Sequence, residues 1–295
     1  ANGRGVVVAD FDNDGDQDFF MAHETDPRLY RNQNGTFFDV SGPLANLAAP
    51  STAACWGDYD RDGWLDLYVV GSSRDHTEPP DYLNIAGQSH RLFRNLGATG
   101  GGFADVTVAA GIGSLAGNGS VSASWGDIEN DGDLDLIVTN LQEPPTGPGG
   151  IGNHLFVNQG DGTFIEEFLD RFPGEFFYCT AAQWADMNND GFLDLAVSCA
   201  QAGSAIYFND GSGHFPAADR VWFDASGNGY NGVQVFDQDL DGWNDVLWIS
   251  RSTSEPSQFF SGVPTATGVG FVNNTAHVGL AASSKAMEKN CDGSL

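Results

Sequence analysis

A nine-residue acidic pattern, Asp-x-Asp-x-Asp-Gly-x-x-Asp, occurs five times in the chain, with Glu or Asn replacing one Asp in two of the copies. Oxygen ligands at alternating positions suit Ca²⁺, which takes about six to eight of them and tolerates irregular geometry. We expect side-chain oxygens from positions 1, 3, 5 and 9, a sharp turn at the position-6 Gly, and a backbone carbonyl from position 7. The candidate ligands are Asp10, Asp12, Asp14, Asp16 and Asp18; Asp58, Asp60, Asp62, Trp64 and Asp66; Asp127, Glu129, Asp131, Asp133 and Asp135; Asp186, Asn188, Asp190, Phe192 and Asp194; Asp237, Asp239, Asp241, Trp243 and Asp245.

A sixth copy begins near the end of the chain and offers an incomplete site at Glu288, Asn290 and Asp292. The sequence therefore predicts about five Ca²⁺ ions as its cofactors. Mg²⁺ fits less well because it prefers few protein ligands and strict octahedral geometry. Zn²⁺ fits less well because the loops contain no Cys and His set.

Two other interpretations of the loops are weaker. An EF-hand requires Glu at position 12 and flanking helices, whereas that position holds Met21, Val69 and Val138 in the first three loops. Asp and Asn also favour turns without any metal. That preference does not account for three to five acids within nine residues in five separate places.

The segments around the loops indicate which elements hold them. Short apolar runs, such as Val6–Val8 and Phe19–Met21, precede and follow each loop, which is typical of a β-hairpin. A third run ending in Asn and a turn such as Asn34-Gly35 lead to a fourth strand. The loops start 48, 69, 59, 51 and 51 residues apart. A period near fifty predicts an all-β protein, a β-propeller with one four-stranded blade per repeat.

We expect one propeller domain over residues 1–295, with five complete repeats and the start of a sixth. The predicted repeats are 1–48, 49–117, 118–176, 177–227, 228–277 and the partial 278–295. Two insertions, 71–89 and 142–153, are rich in Pro, Gly and Ser and read as long surface loops.

Charge excludes several classes of partner. The 295 residues contain 40 acidic and 12 basic side chains, giving a net charge of -28. A chain this acidic lacks the basic surface that binds nucleic acid, and no stretch approaches the roughly 18 apolar residues that cross a bilayer. The hydrophobic fraction of 41% is enough for a packed core.

The motif and the segments "RLYRNQNGTFFDV", "RLFRNLGATGGGFADVTVAAGIG", "NHLFVNQGDGTFIEE", "WGDYDRDGWLDLYVV" and "WGDIENDGDLDLIVTN" resemble the FG-GAP/VCBS repeat family. They are most similar to its branch associated with cartilage acidic protein and with ASPIC/UnbV domains. The resemblance implies a six- or seven-bladed ring with Ca²⁺ in the loop joining the first two strands of a blade, as in integrin α-subunits. Five units fall short of such a ring, so we expect a longer native chain or another subunit to close it.

Few residues outside the loops suggest chemistry. The six His lie in different repeats, and exposed loop positions are the expectation for them: His23, His76, His90, His154, His214 and His277. We therefore expect no enzyme activity and no catalytic residue. The alternative is a calcium-dependent polysaccharide lyase or hydrolase using His76 or His90. A lectin-like alternative has Trp64, Phe192 and Trp243 exposed for stacking on sugars.

Two cysteines and three glycosylation sequons indicate in which compartment the protein is found. Cys179 and Cys199 flank the fourth loop on strands expected to be antiparallel, so a disulfide between them is plausible. Sequons at Asn34, Asn118 and Asn273 are compatible with glycosylation and secretion. We expect an extracellular, cell-surface or periplasmic calcium-binding module for adhesion or structure. Its expected partner is a protein, a glycan, other copies of itself or a larger surface assembly.

Overall fold

The computed structural model describes residues 3–23, 26–42, 44, 51–71, 90–97, 102–112, 120–140, 152–173, 179–199, 203–223, 230–250, 257–266 and 268–278. Across them the chain forms five antiparallel sheets, each of four strands in sequence order. The all-β class and the four-stranded blades are thereby confirmed. The incomplete sixth site at Glu288, Asn290 and Asp292 lies outside the described residues, as do His76, Asn118 and most of both insertions.

Each blade is built from consecutive strands, as predicted from the repeat. The strands are, in blade 1, β1 (Gly3–Ala9), β2 (Asp18–His23), β3 (Arg28–Gln33) and β4 (Thr36–Asp39); in blade 2, β5 (Ser51–Gly57), β6 (Asp66–Gly71), β7 (Arg91–Asn95) and β8 (Phe103–Asp105); in blade 3, β9 (Ser120–Gly126), β10 (Asp135–Asn140), β11 (His154–Asn158) and β12 (Phe164–Glu166); in blade 4, β13 (Cys179–Ala185), β14 (Asp194–Cys199), β15 (Ala205–Tyr207) and β16 (Val221–Trp222); in blade 5, β17 (Tyr230–Phe236), β18 (Asp245–Ser250), β19 (Gln258–Thr265) and β20 (Gly268–Asn273). The described residues also form a helix of one turn, α1 (Phe168–Arg171), and a 3-10 helix, Ala217–Asp219.

The acidic loop joins the first two strands of every blade. Its position-9 Asp is the first residue of the second strand and pairs with the last residue of the first strand: Ala9 with Asp18, Gly57 with Asp66, Gly126 with Asp135, Ala185 with Asp194, and Phe236 with Asp245. Each loop therefore closes a hairpin, and strands flank it on both sides. These flanks contradict the EF-hand interpretation.

The chain divides into two compact units, 1–168 and 169–295. In the first, strands β1, β5 and β9 contact one another in that order. Aromatic rings fill the space between neighbouring blades: Phe11 stacks on Trp56 with centroids 5.8 Å apart, and Tyr59 stacks on Trp125 at 6.3 Å. Trp56 and Trp125 therefore pack between neighbouring blades.

The second unit contains blades 4 and 5, whose strands β13 and β17 are in contact. Its core includes the fully buried Met187 and Trp248. Cys179 and Cys199 lie opposite each other on β13 and β14 and form the expected disulfide, with Cα atoms 3.9 Å apart. Within the described residues, no helix has the length and apolar character needed to span a membrane.

Candidate metal centre

The five acidic loops share one backbone conformation. The position-6 Gly has φ between 87° and 94° in every copy, which is the left-handed geometry that favours glycine. Position 4 is also left-handed, with φ between 55° and 61°, at Asn13, Arg61, Asn130, Asn189 and Leu240. Asn tolerates this region, whereas Leu240 pays a steric cost there. The sequence had indicated the Gly but not the second left-handed residue.

Position 1 organises the turn through hydrogen bonds to its own backbone. In each loop one carboxylate oxygen accepts the N–H of position 5 at 3.0–3.1 Å. The other accepts the N–H of the Gly at 2.8–2.9 Å. A carboxylate oxygen of position 5 likewise accepts the backbone N–H of position 7, at 2.9–3.0 Å. Because these N–H groups are held inward, all five loops take the same shape.

Position 9 ties the loop to the rest of its blade. One oxygen of this Asp accepts the N–H of position 2 at 2.9–3.2 Å. The other accepts a backbone N–H at 2.7–3.0 Å from the third strand or, in blade 4, from Asn209 just after that strand. Burial raises the pKa of Asp66 to about 8 and those of Asp135 and Asp194 to about 7, and it also raises the pKa values of Asp18 and Asp245. These carboxylates are therefore costly to ionise unless a cation lies nearby.

Position 3 has the oxygen most available to a cation. Oδ1 of Asp12 and Oδ1 of Asp60 are buried and accept no hydrogen bond from any described residue. Burial is the first cause of the raised pKa of both carboxyls, and the carboxylates at positions 1 and 5 add to it. An unpaired buried oxygen among like charges costs free energy that a bound cation would remove. The residues therefore fit Ca²⁺.

Three loops bring their carboxylate oxygens within 4.8 Å of one another: Asp10, Asp12 and Asp18; Asp58, Asp60 and Asp62; Asp237, Asp239 and Asp245. In the fourth loop Asn188 replaces an acid, and its amide donates to Asp190 at 2.9 Å. The acids of the third loop keep the same backbone hydrogen bonds, but among the described residues they form no such close group. The five loops share a conformation, and three of them already have clustered ligand oxygens.

Arginine side chains share in neutralising the loops, which the sequence did not indicate. Arg94 on β7 lies 2.6 Å from Asp60 and 3.0 Å from Asp62. Arg61, at position 4 of loop 2, lies 2.9 Å from Asp133 in loop 3. Part of the acidity is thus balanced within the protein before any metal is counted.

A second set of residues missed from the sequence is the Asn that ends the third strand. Asn95 Nδ2 donates to the carbonyl of Phe11, in the loop of the preceding blade, at 2.9 Å. Asn158 Nδ2 donates in the same way to Tyr59 at 2.9 Å. The sequence does contain a signal for these residues, because the predicted third runs of repeats one to four all end in Asn. The carbonyl that each Asn side chain bonds to lies 84 or 99 residues away, so the contact could not be inferred from the repeat.

The aromatic residues at position 7 are half-buried, and each lies close to a glycine that follows or belongs to the third strand. A Cβ on Gly97 would lie 2.8 Å from the Trp64 indole, and one on Gly211 would lie 3.3 Å from Phe192. A Cβ on Gly262 would lie 3.5 Å from Cβ of Trp243. These side chains are therefore packed within their blades and partly accessible, rather than freely exposed.

The histidines are not all exposed, which corrects the expectation. His90 and His154 are buried, at 2% and 4% exposure, because they lie at the start of inner strands, whereas His214 and His277 are exposed. Burial lowers the pKa of His90 to about 3, and its Nε2 lies 3.1 Å from Ser120 Oγ. His90 is therefore enclosed within the protein, and His76, the other histidine of the enzyme alternative, lies outside the described residues.

The sequence profile of the FG-GAP-like repeat family matches residues 10–69, 146–197 and 186–248. Among curated proteins, the chain is 25% identical to human (Homo sapiens) cartilage acidic protein 1 over 212 residues and 24% identical to the mouse (Mus musculus) protein. The match to the Xenopus tropicalis protein is 22%. Each match covers 66% of this chain but only 30% of the relative.

A solved structure of an Agrocybe aegerita lectin, described as specifically recognising non-reducing terminal N-acetylglucosamine, is similar in fold. Its TM-score is 0.50 at 17% identity, over 89% of this chain and 63% of the lectin chain. The profile matches span more than half of the chain and include the whole of the first, second, fourth and fifth acidic loops. The chain belongs to the FG-GAP-like repeat family.

Proposed function

We propose that this chain is an extracellular calcium-binding β-propeller module that binds a protein or a glycan. Calcium occupies the acidic loops, ties each hairpin and offsets the repulsion among its carboxylates. The ions are part of the folded structure, so metal binding and folding are coupled.

One observation carries the calcium proposal. Asp12 and Asp60 each bury an oxygen that no described residue satisfies, at the same position of loops that otherwise have a complete hydrogen-bond frame. Buried polar atoms are nearly always paired. A hard cation at this point, bound by positions 1, 3, 5 and 9 and by the position-7 carbonyl, would pair them.

The extracellular location rests on the disulfide between Cys179 and Cys199 and on the similarity to cartilage acidic protein 1. Disulfides persist in oxidising compartments, where calcium is also abundant. A periplasmic location would satisfy the same observations.

A binding role is favoured over catalysis. The chain is similar in fold to a lectin, and the described residues hold two inter-blade cavities of ligand size. We therefore propose recognition, by a surface of the blades or their loops, of a protein or glycan partner.

Calorimetric titration of the metal-free chain tests the calcium proposal. Chelation is expected to lower the melting temperature, and titration with CaCl₂ is expected to restore it with about five ions bound per chain. MgCl₂ at equal concentration is the control and should restore less. A melting temperature that does not respond to chelator or calcium would overturn the proposal.

A further inference from the structure

A cavity of about 480 Å³ lies between blades 1 and 2 of the first compact unit. Phe11, Leu29, Trp64 and Phe103 supply much of its apolar lining, and Arg31 and Asp12 supply the charged groups. This volume falls in the range of small-molecule sites, which combine an apolar wall with a few polar groups. The cavity is therefore large enough for one or two sugar residues.

A second cavity, of about 490 Å³, lies between blades 2 and 3 at the equivalent place. Tyr59, Asp60 and Arg94 occupy the positions that Phe11, Asp12 and Arg31 hold in the first. The position-7 residue differs: Asp133 takes the place of Trp64, which makes the second cavity acidic. The repeat thus builds two similar cavities, and the first has an aromatic wall.

Trp64 is held in a fixed orientation with its ring available. The indole lies so close to Gly97 that a Cβ there would be 2.8 Å from it, and Gly97 has a left-handed φ of 62°. Trp56 and Trp125 stack on aromatic neighbours, whereas the half-buried Trp64 makes no ring contact with any described residue. An indole that is fixed and unstacked is suited to hold the apolar face of a ligand.

Arg31 is farther from carboxylates than Arg94, the equivalent arginine in the next blade. Arg94 is bound to Asp60 at 2.6 Å and to Asp62 at 3.0 Å. Nε of Arg31 and Nε of Arg94 are both buried without a hydrogen bond to a described residue. The two arginines differ in their ion pairs, because Arg31 lies 3.9 Å from its nearest carboxylate, that of Asp12. The first cavity therefore offers guanidinium donors beside a carboxylate acceptor.

We propose that this cavity binds a neutral pyranose residue of a glycan, an inference that rests on the proposed binding function. The C–H face of the sugar packs on Trp64, and its hydroxyls bond to the guanidinium of Arg31 and the carboxylate of Asp12. The ligand is neutral because the chain carries -28, and still -18 with five Ca²⁺ bound, which repels uronates and sulfated sugars.

Binding of the whole chain to arrayed neutral, uronic and sulfated glycans in calcium buffer tests this site. We expect neutral pyranosides to bind and Trp64→Leu to weaken them about tenfold, the size of effect that loss of aromatic stacking produces. Trp222→Leu is the control, because Trp222 is 42% exposed on β16 and lines neither cavity; its binding should equal wild type. Arg31→Gln, at a partly exposed side chain, should also weaken binding without lowering the melting temperature.

Three results would overturn the site: equal binding by wild type, Trp64→Leu and Arg31→Gln; binding to acidic glycans alone; or no binding to any arrayed glycan. The melting temperature in calcium and in chelator is measured on the same samples. If calcium still stabilises a chain that binds no glycan, the site fails while the calcium module stands. If calcium has no effect, the calcium part of the proposed function fails independently of the glycan result.

Discussion

A hydrogen bond between Asp66 and Asn95 joins the second and third strands of blade 2, and the Asn95 side chain links them to blade 1. Oδ1 of Asp66 accepts the backbone N–H of Asn95 at 2.8 Å, and the Asn95 side chain donates to the carbonyl of Phe11 in blade 1 at 2.9 Å. The other oxygen of Asp66 accepts the N–H of Tyr59 at 3.2 Å. One fully buried carboxylate thus fixes the loop, the third strand and, through Asn95, the preceding blade.

Asp66→Ala should lower the free energy of unfolding by about 3 kcal/mol, because it leaves two backbone N–H groups without an acceptor. Urea unfolding in chelator measures this loss separately from any loss of metal. Asp26→Ala, which removes an exposed ion pair with Arg28, is the control and should cost less than about 1 kcal/mol. Equal midpoints for the two variants would contradict the anchoring role.

Without metal, stability should fall as pH rises from about 6.5 to about 8. Burial raises the pKa of Asp66 to about 8 and those of Asp135 and Asp194 to about 7. The folded chain therefore keeps protons that the unfolded chain has already lost near its ordinary value of about 4. His90 opposes this trend only near pH 6.5, because its folded pKa is lowered to about 3 and the unfolded imidazole, with a pKa of about 6.5, becomes neutral above that pH.

Urea midpoints in chelator across this pH range measure the effect. Calcium should abolish the fall, because a bound cation stabilises the ionised carboxylates. A midpoint in chelator that rises with pH would show that these groups are ionised in the metal-free fold.

Asp60→Ala should remove about one Ca²⁺ per chain from a calorimetric titration, because it deletes the side-chain oxygen that loop 2 leaves unpaired. The calcium-induced rise in melting temperature should shrink accordingly. Asp219→Asn, at an exposed position in the 3-10 helix, should leave both quantities unchanged. Unaltered stoichiometry in Asp60→Ala would place the ion elsewhere.

Gly57→Ala should destabilise the fold by about 2 kcal/mol through overpacking between blades 2 and 3. A Cβ at Gly57 would lie 2.7 Å from the Trp125 ring, which is itself packed against Tyr59. Gly42→Ala is the matched control, since nothing lies within 4 Å of its added Cβ. Thermal unfolding of the two variants measures the difference, and Gly57→Ala should melt at the lower temperature. Equal melting temperatures would show that the blades can separate to admit a methyl group.

Most of the fold could be predicted from local sequence. The loop pattern, the strands beside it and the disulfide depend on residues within one repeat, so their spacing was informative. The contacts of Asn95 and Arg61 could not be predicted in this way, because their partners lie in another blade. The burial of His90 was mispredicted for the same reason: a position beside a long insertion looked exposed, and only the neighbouring strands show that it is covered.

The bonds from Asn95 and Asn158 to the preceding loops make blades 1 to 3 a nearest-neighbour array. In such an array the stability of each member includes a term from the member beside it, and the end member loosens first. An ion bound in loop 2 would then restrict the position of the Tyr59 carbonyl, which accepts a hydrogen bond from Asn158. It would thereby stabilise blade 3, to which Asn158 belongs. Calcium binding to these blades should accordingly be cooperative, with a Hill coefficient above one that falls towards one in Asn158→Ala.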